Sequence, residues 1–213
     1  MFAPANQSAF SLTVDGRSSD LKVLAFQGEE AISQPYCFDI ELVSEQPDLD
    51  LEDLLHRQAF LAFDALGHGV HGQIQGVAQG DSGRRLTRYQ VSLVPQLAYL
   101  QHSAHQRIFQ HKTVPQIVSL VLEGQGIQRD AFEWRLGTTY PEREYCVQFD
   151  ETDLAFIQRL CAELGIHYHF QHSPDGHLLV FGDDQTVFAQ ADQPTGFQRA
   201  PGGADHRGQP ARL

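Results

Sequence analysis

Eleven histidines in 213 residues are the first feature that could do chemistry. His167 and His169 stand two apart in an alternating stretch with His172 and His177 close behind, and imidazoles at i and i+2 on one strand face can chelate zinc. The same spacing also describes the polar face opposite Ile166, Tyr168 and Phe170. No cysteine or carboxylate falls at a recognised ligand spacing beside them, so the polar face is the expected reading and no metal is assigned. His68 and His71 in a glycine-rich turn, and His102, His105 and His111 in a polar connector, read as solvated.

Carboxylates form the second candidate. Asp39, Glu41, Glu45, Asp48, Asp50, Glu52 and Asp53 follow one another with no Lys or Arg between Asp39 and Leu55. Two carboxyls held close can split their pKa values and run glycoside hydrolysis, which makes a small hydrolase one alternative and a histidine-rich metal module another. A solvated strand-and-loop edge produces the same run. The sequence contains no GxSxG elbow, no GxxxxGK[ST] phosphate cradle, no GxGxxG and no HExxH. Cys37, Cys146 and Cys161 are odd in number and widely spaced, sit beside mainly apolar neighbours, and read as buried fillers in a reducing compartment. The expectation is no enzyme, with no catalytic, cofactor-binding or metal-ligating residue and no cofactor.

The elements around these residues fall into two parts. Phe10, Leu12 and Val14 alternate with polar neighbours, Leu21 to Phe26 is mostly apolar, and Tyr36, Phe38, Ile40 and Leu42 alternate again. Phe60 to Phe63, Ile74 to Ala78 and Tyr89 to Val94 continue the pattern, with Gly67, Gly69, Gly80 and Gly83 as punctuation, and Asp50 is placed to cap a short turn carrying Leu51, Leu54 and Leu55. Short strands at this spacing predict an antiparallel barrel or sandwich over residues 1–100.

From residue 101 to 190 helical signals join the strands. Thr113-Val114-Pro115-Gln116 is a capping box with proline in the first turn, and Ile117, Val118, Leu120, Val121 and Leu122 form the buried side of the helix, which Gly124 or Gly126 ends. Asp150 is the expected cap of a second helix, with Glu151 and Asp153 on its positive end and Leu154, Ile157, Leu160, Cys161 and Leu164 as one stripe stopped by Gly165. Ser173-Pro174-Asp175-Gly176 then turns a hairpin. The fold class is therefore α+β: an antiparallel β-barrel-like domain followed by a strand–helix–hairpin domain. Residues 191–213, rich in Pro, Gly, Gln and Ala, read as a disordered tail.

Charge narrows the partners. The chain carries 15 basic and 27 acidic side chains, a net of −12. Three Arg and one Asp fall from Gln198 onward, so the preceding residues hold 12 basic and 26 acidic groups, a net of −14. Such a surface repels polyphosphate and anionic lipid, which argues against nucleic acid and membrane as partners. No apolar run approaches the ~20 residues that span a bilayer, and the first residues carry no basic segment or export signal.

Three stretches resemble the VgrG family, the spike of bacterial type VI secretion systems. They are Arg107-Ile108-Phe109-Gln110 leading into Lys112-Thr113-Val114-Pro115-Gln116-Ile117; Tyr140-Pro141-Glu142-Arg143-Glu144-Tyr145-Cys146-Val147-Gln148-Phe149; and Glu151-Thr152-Asp153-Leu154-Ala155-Phe156-Ile157-Gln158-Arg159-Leu160 with Gly165-Ile166-His167-Tyr168-His169-Phe170 after it. Phe38-Asp39-Ile40-Glu41-Leu42-Val43-Ser44 and Leu54-Leu55 match further upstream. The resemblance runs over residues 10 to 188, in chain order, and stops before the tail.

The resemblance implies a structural part, similar to the tailed-phage baseplate hub. In that family two similar barrels form the hub, an OB-like domain and a β-helical needle follow, and a homotrimer makes a pseudo-sixfold ring on the secreted tube of hexamers. The baseplate, a tip protein and effectors or their adaptors are the other implied partners. The protein would be cytoplasmic before firing and leave through the type VI apparatus without a signal peptide. The sequence corresponds to the first barrel and the α+β region after it, and the family offers no hub active site to carry over.

Overall fold

The computed structural model describes residues 10–16, 20–83 and 85–188; the expected tail at 191–213 lies outside the described residues. Alternating apolar residues in the first half make six strands: β1 (Ser11–Val14), β2 (Lys22–Glu29), β3 (Cys37–Ser44), β4 (Gln58–Ala62), β5 (Gly69–Ser82) and β6 (Thr87–Val94). They form one antiparallel sheet in the order β1-β4-β5-β6-β3-β2. Leu12, Val14, Val23, Ile40, Leu42, Leu61, Ile74, Val91 and Leu93 point into one core, as the period of two requires.

The sheet curls without closing into a full barrel. Register shifts at Val23/Ala25, Ile74/Gly76 and Gln79/Ser82 mark irregularities that bend and twist the strands. The two edges meet through side chains, with the Phe10 ring edge-on to Phe26 at 5.1 Å and Phe63 stacked on Phe26 at 5.3 Å. Gly69 and Gly80, expected between strands, lie inside the 14-residue β5. Gly72 in the same strand shows why glycine is used there: a Cβ would stand 2.7 Å from the Val94 carbonyl oxygen. Ahead of β4, Asp50 accepts from the backbone N–H groups of Glu52 and Asp53 at 3.1 and 3.3 Å, capping the 3-10 turn Glu52–Leu54 as expected.

The second half contains β7 (Ala104–Lys112), α1 (Val114–Gly124), β8 (Phe132–Arg135), β9 (Arg143–Thr152), α2 (Asp153–Glu163), β10 (His167–Ser173) and β11 (Gly176–Gly182). β7 and β9 pair antiparallel as a two-stranded ribbon, while β10, β11 and β8 make a second small sheet in which β8 runs parallel to β11. The α+β class and the barrel-like sheet hold, and the strand–helix–hairpin reading, with a single strand outside its hairpin, lacked two of the three strands β7, β8 and β9.

Helix α1 starts at the capping box, Thr113 Oγ1 accepting from Gln116 N–H and Gln116 Oε1 from Thr113 N–H. Its Ile117, Val118, Val121 and Leu122 are buried, but Leu120 is 44 % exposed. Helix α2 corrects the expected cap. Asp150 belongs to β9 with φ at 51°, and Thr152 accepts from the Ala155 N–H at 3.1 Å instead. Glu151 pairs with Arg159 at 2.6 Å rather than lying in the first turn. Phe156, Ile157, Leu160 and Cys161 are buried, Leu154 and Leu164 only partly, and Gly165 at φ +70° ends the helix.

Candidate interaction surfaces

The acidic run does not converge. Asp39 accepts from Ser92 Oγ at 2.6 Å, Asp50 caps its turn, Asp53 pairs with Arg57, and Glu41, Glu45, Asp48 and Glu52 face solvent. These are the individual partners of strand and loop carboxylates. Among the described residues no group of three or more His, Cys, Asp or Glu is arranged to hold a metal ion.

Histidines depart from the expected solvation in three places. His68 is exposed and bonds Asp64, and His102 and His111 are exposed. His71 is buried, however, because β5 carries it against β10 and β11, where its Nδ1 lies 3.0 Å from Nδ1 of His177. His105 bonds the fully buried Asp153 at 3.0 Å. His167 and His169 lie on one face of β10 as expected, yet they pack against the Phe188 ring at 4.9 Å each rather than facing open solvent. Burial, the His167 ring and the Arg135 charge hold the His169 imidazole below its usual pKa. Of the cysteines, Cys146 and Cys161 are buried fillers, and burial pushes the Cys161 thiol up to about 12. Cys37 contradicts the expectation: it lies exposed at the start of β3, where its side chain points out of the sheet opposite buried Phe38.

Asp153 anchors an inverted strand pair. At the first position of α2 its carboxylate accepts from His105 Nδ1 (3.0 Å) and Arg107 Nη2 (3.3 Å) on β7, Gln148 Nε2 (2.7 Å) on β9 and Gln125 Nε2 (2.6 Å) beyond α1. Its backbone N–H donates to Ser103 O at 2.8 Å. A buried carboxylate demands such donors, so β7 and β9 turn His105, Arg107 and Gln148 inward, beside Phe109 and Cys146. Period two then sends the alternate residues out, four of them apolar: Ile108 is 61 % exposed, Tyr145 54 %, Val147 37 % and Phe149 70 %.

Ile108 lies directly across from Val147, and Gln110 from Tyr145. The outward positions Gln106, Ile108, Gln110, Tyr145, Val147 and Phe149 contain no charge, on a chain of net −12. From strand rise and spacing this strip covers on the order of 200 Å². None of these residues was singled out from the sequence as a surface. The available signal was the clash between an apolar Tyr145-Val147-Phe149 phase and the alternate Cys146-Gln148 phase, which alternation alone cannot orient.

An open curled sheet followed by this α+β part is the architecture of a phage-type tail hub. The sequence pattern of the phage tail baseplate hub (GPD) family matches residues 29–211, and the chain belongs to that family. The match continues past residue 188, where the resemblance read from the sequence stopped.

Two curated relatives from Pseudomonas aeruginosa PAO1 are named type VI secretion system spike proteins. VgrG4b is 64 % identical over 197 residues, 92 % of this chain and 24 % of its own length; VgrG5 is 58 % identical over 203 residues, 95 % and 26 %. The chain thus spans about a quarter of the length of the relatives it matches. An Escherichia coli protein, described as a type VI secretion component with structural similarity to the T4 tail proteins gp27 and gp5, superposes with a TM-score of 0.81 at 33 % identity. That match covers 84 % of this chain and 51 % of the other. The resemblance to VgrG is therefore shown. No described helix is long and apolar enough to cross a membrane.

Proposed function

We propose that the chain is the hub portion of a type VI secretion spike and acts as a structural, non-catalytic part. Residues 1–100 form the body of the hub and 101–190 an inserted unit that meets neighbours. In the assembled spike three copies surround one axis, rest on the hexameric secreted tube against the baseplate, and carry a tip protein and effectors. The protein waits in the cytoplasm and leaves through the apparatus it completes.

The observation that carries this reading is the inside-out β7–β9 ribbon. Ile108, Tyr145, Val147 and Phe149 put an uncharged apolar strip at the solvent face of the ribbon. The occupant we assign is another copy of this chain. An uncharged strip is where two bodies of net −12 approach with least repulsion. Its area, on the order of 200 Å², is well short of the ~800 Å² per partner of a stable interface. The ribbon therefore supplies one part of a larger contact.

The test is secretion. In a bacterium whose spike protein carries this hub region, removing the region should abolish release of the tube protein into the medium, and restoring it should rescue release. Ile108→Glu with Phe149→Glu should fail to rescue although the protein accumulates normally. Full tube release without the region would overturn the hub reading.

A further inference from the structure

A group of histidines lies where the β10–β11 hairpin packs on the six-stranded sheet, and neither the hub reading nor the ribbon uses it. His71 comes from β5, His172 from β10 and His177 from β11. The His71 and His177 Nδ1 atoms are 3.0 Å apart, and the His71 backbone N–H donates to His172 Nδ1 at 3.2 Å. His172 Nε2 lies 3.3 Å from Glu30 Oε1. The Tyr36 hydroxyl donates to the His71 carbonyl, while its ring meets Phe170 edge-on at 4.9 Å and His172 at 5.1 Å.

The hydrogen bonds dictate proton positions. An Nδ1···Nδ1 contact at 3.0 Å needs one donor and one acceptor, so the pair His71–His177 can share one Nδ1 proton and no second. With both protonated, two N–H groups would face each other with no acceptor between them. His172 Nδ1 must likewise stay bare to accept the His71 N–H, leaving the Nε2 proton to point at Glu30. The seam as built thus excludes a second Nδ1 proton on the pair and any proton on His172 Nδ1.

We propose that His71, His172 and His177 form an acid-released latch that holds the β10–β11 hairpin on the six-stranded sheet near neutral pH and lets it part as the imidazoles charge. The charged groups around the cluster are few and placed at its rim. Asp130, ahead of β8, and Asp175, in the hairpin turn, line a cavity of about 340 Å³ with His71 and His177. Asp15, after β1, lines a neighbouring one with His71 and Asp175, and Glu30 faces His172.

Burial, with the nearby His172 imidazole, holds the His71 pKa down against the pull of Asp175 and Asp15, and burial with its two imidazole neighbours takes His177 down to about 3. The sign follows. In the parted state the rings titrate near the ordinary 6.5, so the closed seam keeps its full stability above that pH. It loses stability as pH falls from 6.5 toward 3, because parting takes up protons. One net proton makes parting about tenfold easier per pH unit and two about a hundredfold.

This inference stands apart from the hub reading and is tested on the chain itself. Amide hydrogen exchange from pH 7.5 to 4.5, corrected for intrinsic rate, reads the His71 amide bonded to His172 and the Ser33 amide bonded to the Tyr168 carbonyl. Their protection should fall at least tenfold per pH unit below about 6, while the Ile117 amide in α1 keeps its own. His177→Gln should flatten that response, and His68→Gln, at an exposed site, should leave it intact. Should His177→Gln not fold, imidazole nitrogen NMR of the wild-type chain decides. His71 and His177 silent around pH 6.5 support the latch, whereas ordinary titration of either overturns it. Protection that stays flat with pH, falls equally in α1, or responds unchanged in His177→Gln overturns it too.

Discussion

The six-stranded sheet and the β7–β9 ribbon solve the same alternation in opposite ways. In the sheet, Ile40, Leu42, Leu61 and Leu93 are fully buried while the intervening Asp39 and Glu41 look outward. In the ribbon, Gln148 is fully buried and Phe149 is 70 % exposed. The difference is Asp153. A carboxylate with no exposure at the start of α2 needs several donors, and satisfying it outweighs placing three or four apolar side chains inside, because an unpaired buried charge costs several kcal/mol. A strand face is thus set by its neighbours' needs as well as by its own hydrophobicity, and the apolar residues turned outward become a surface suited to contact.

Removing the anchor should have the largest effect. Asp153→Ala strands Arg107, Gln125 and Gln148 around an uncompensated site, and a loss of about 3–5 kcal/mol in a denaturant series is expected; a loss below about 1 kcal/mol would mean that the ribbon holds its orientation without the carboxylate. Leu160→Ala truncates a fully buried side chain of α2 and should cost about 2–5 kcal/mol in the same assay. The caps come next: Thr152→Ala should cost about 1 kcal/mol through the lost Ala155 bond, whereas Asp150→Ala should not reproduce that loss. Smallest of all, Ile108→Gln or Val147→Thr on the outer face should move the stability of the isolated chain by no more than about 0.5 kcal/mol, while equal changes at Ile40 or Leu42 would be severe.

These contrasts also show what the sequence could reveal. The strands of the first half, the capping box at Thr113 and Gln116, the glycine stop at Gly165 and the turn at Pro174-Asp175 were legible because local chemistry alone decides them. The cap at Thr152 was not, since Asp150 offers an equally good oxygen and only the path of β9 rules it out. Leu120 read as core because its helix phase borders the buried face. His71 read as solvated because its glycine-rich surroundings resemble a turn, yet β5 runs straight through them and presses it against residues a hundred positions later. The ribbon surface was illegible for the same reason: its orientation depends on Asp153, His105, Arg107, Gln148 and Gln125, drawn together from four separate segments.

The central claim, that the outward face of the ribbon is a contact between copies, is tested most directly by sedimentation of the chain and of its Ile108→Glu, Phe149→Glu variant. At ~10 µM in low salt both should be monomeric, since a small strip cannot overcome the entropic cost of association and the repulsion of net charge. At ~500 µM in ~0.5 M salt, where that repulsion is screened, the wild-type chain should associate weakly and the variant should remain monomeric with an unchanged melting temperature. Equal association of the variant, or a wild-type chain still monomeric under those conditions, would contradict the account.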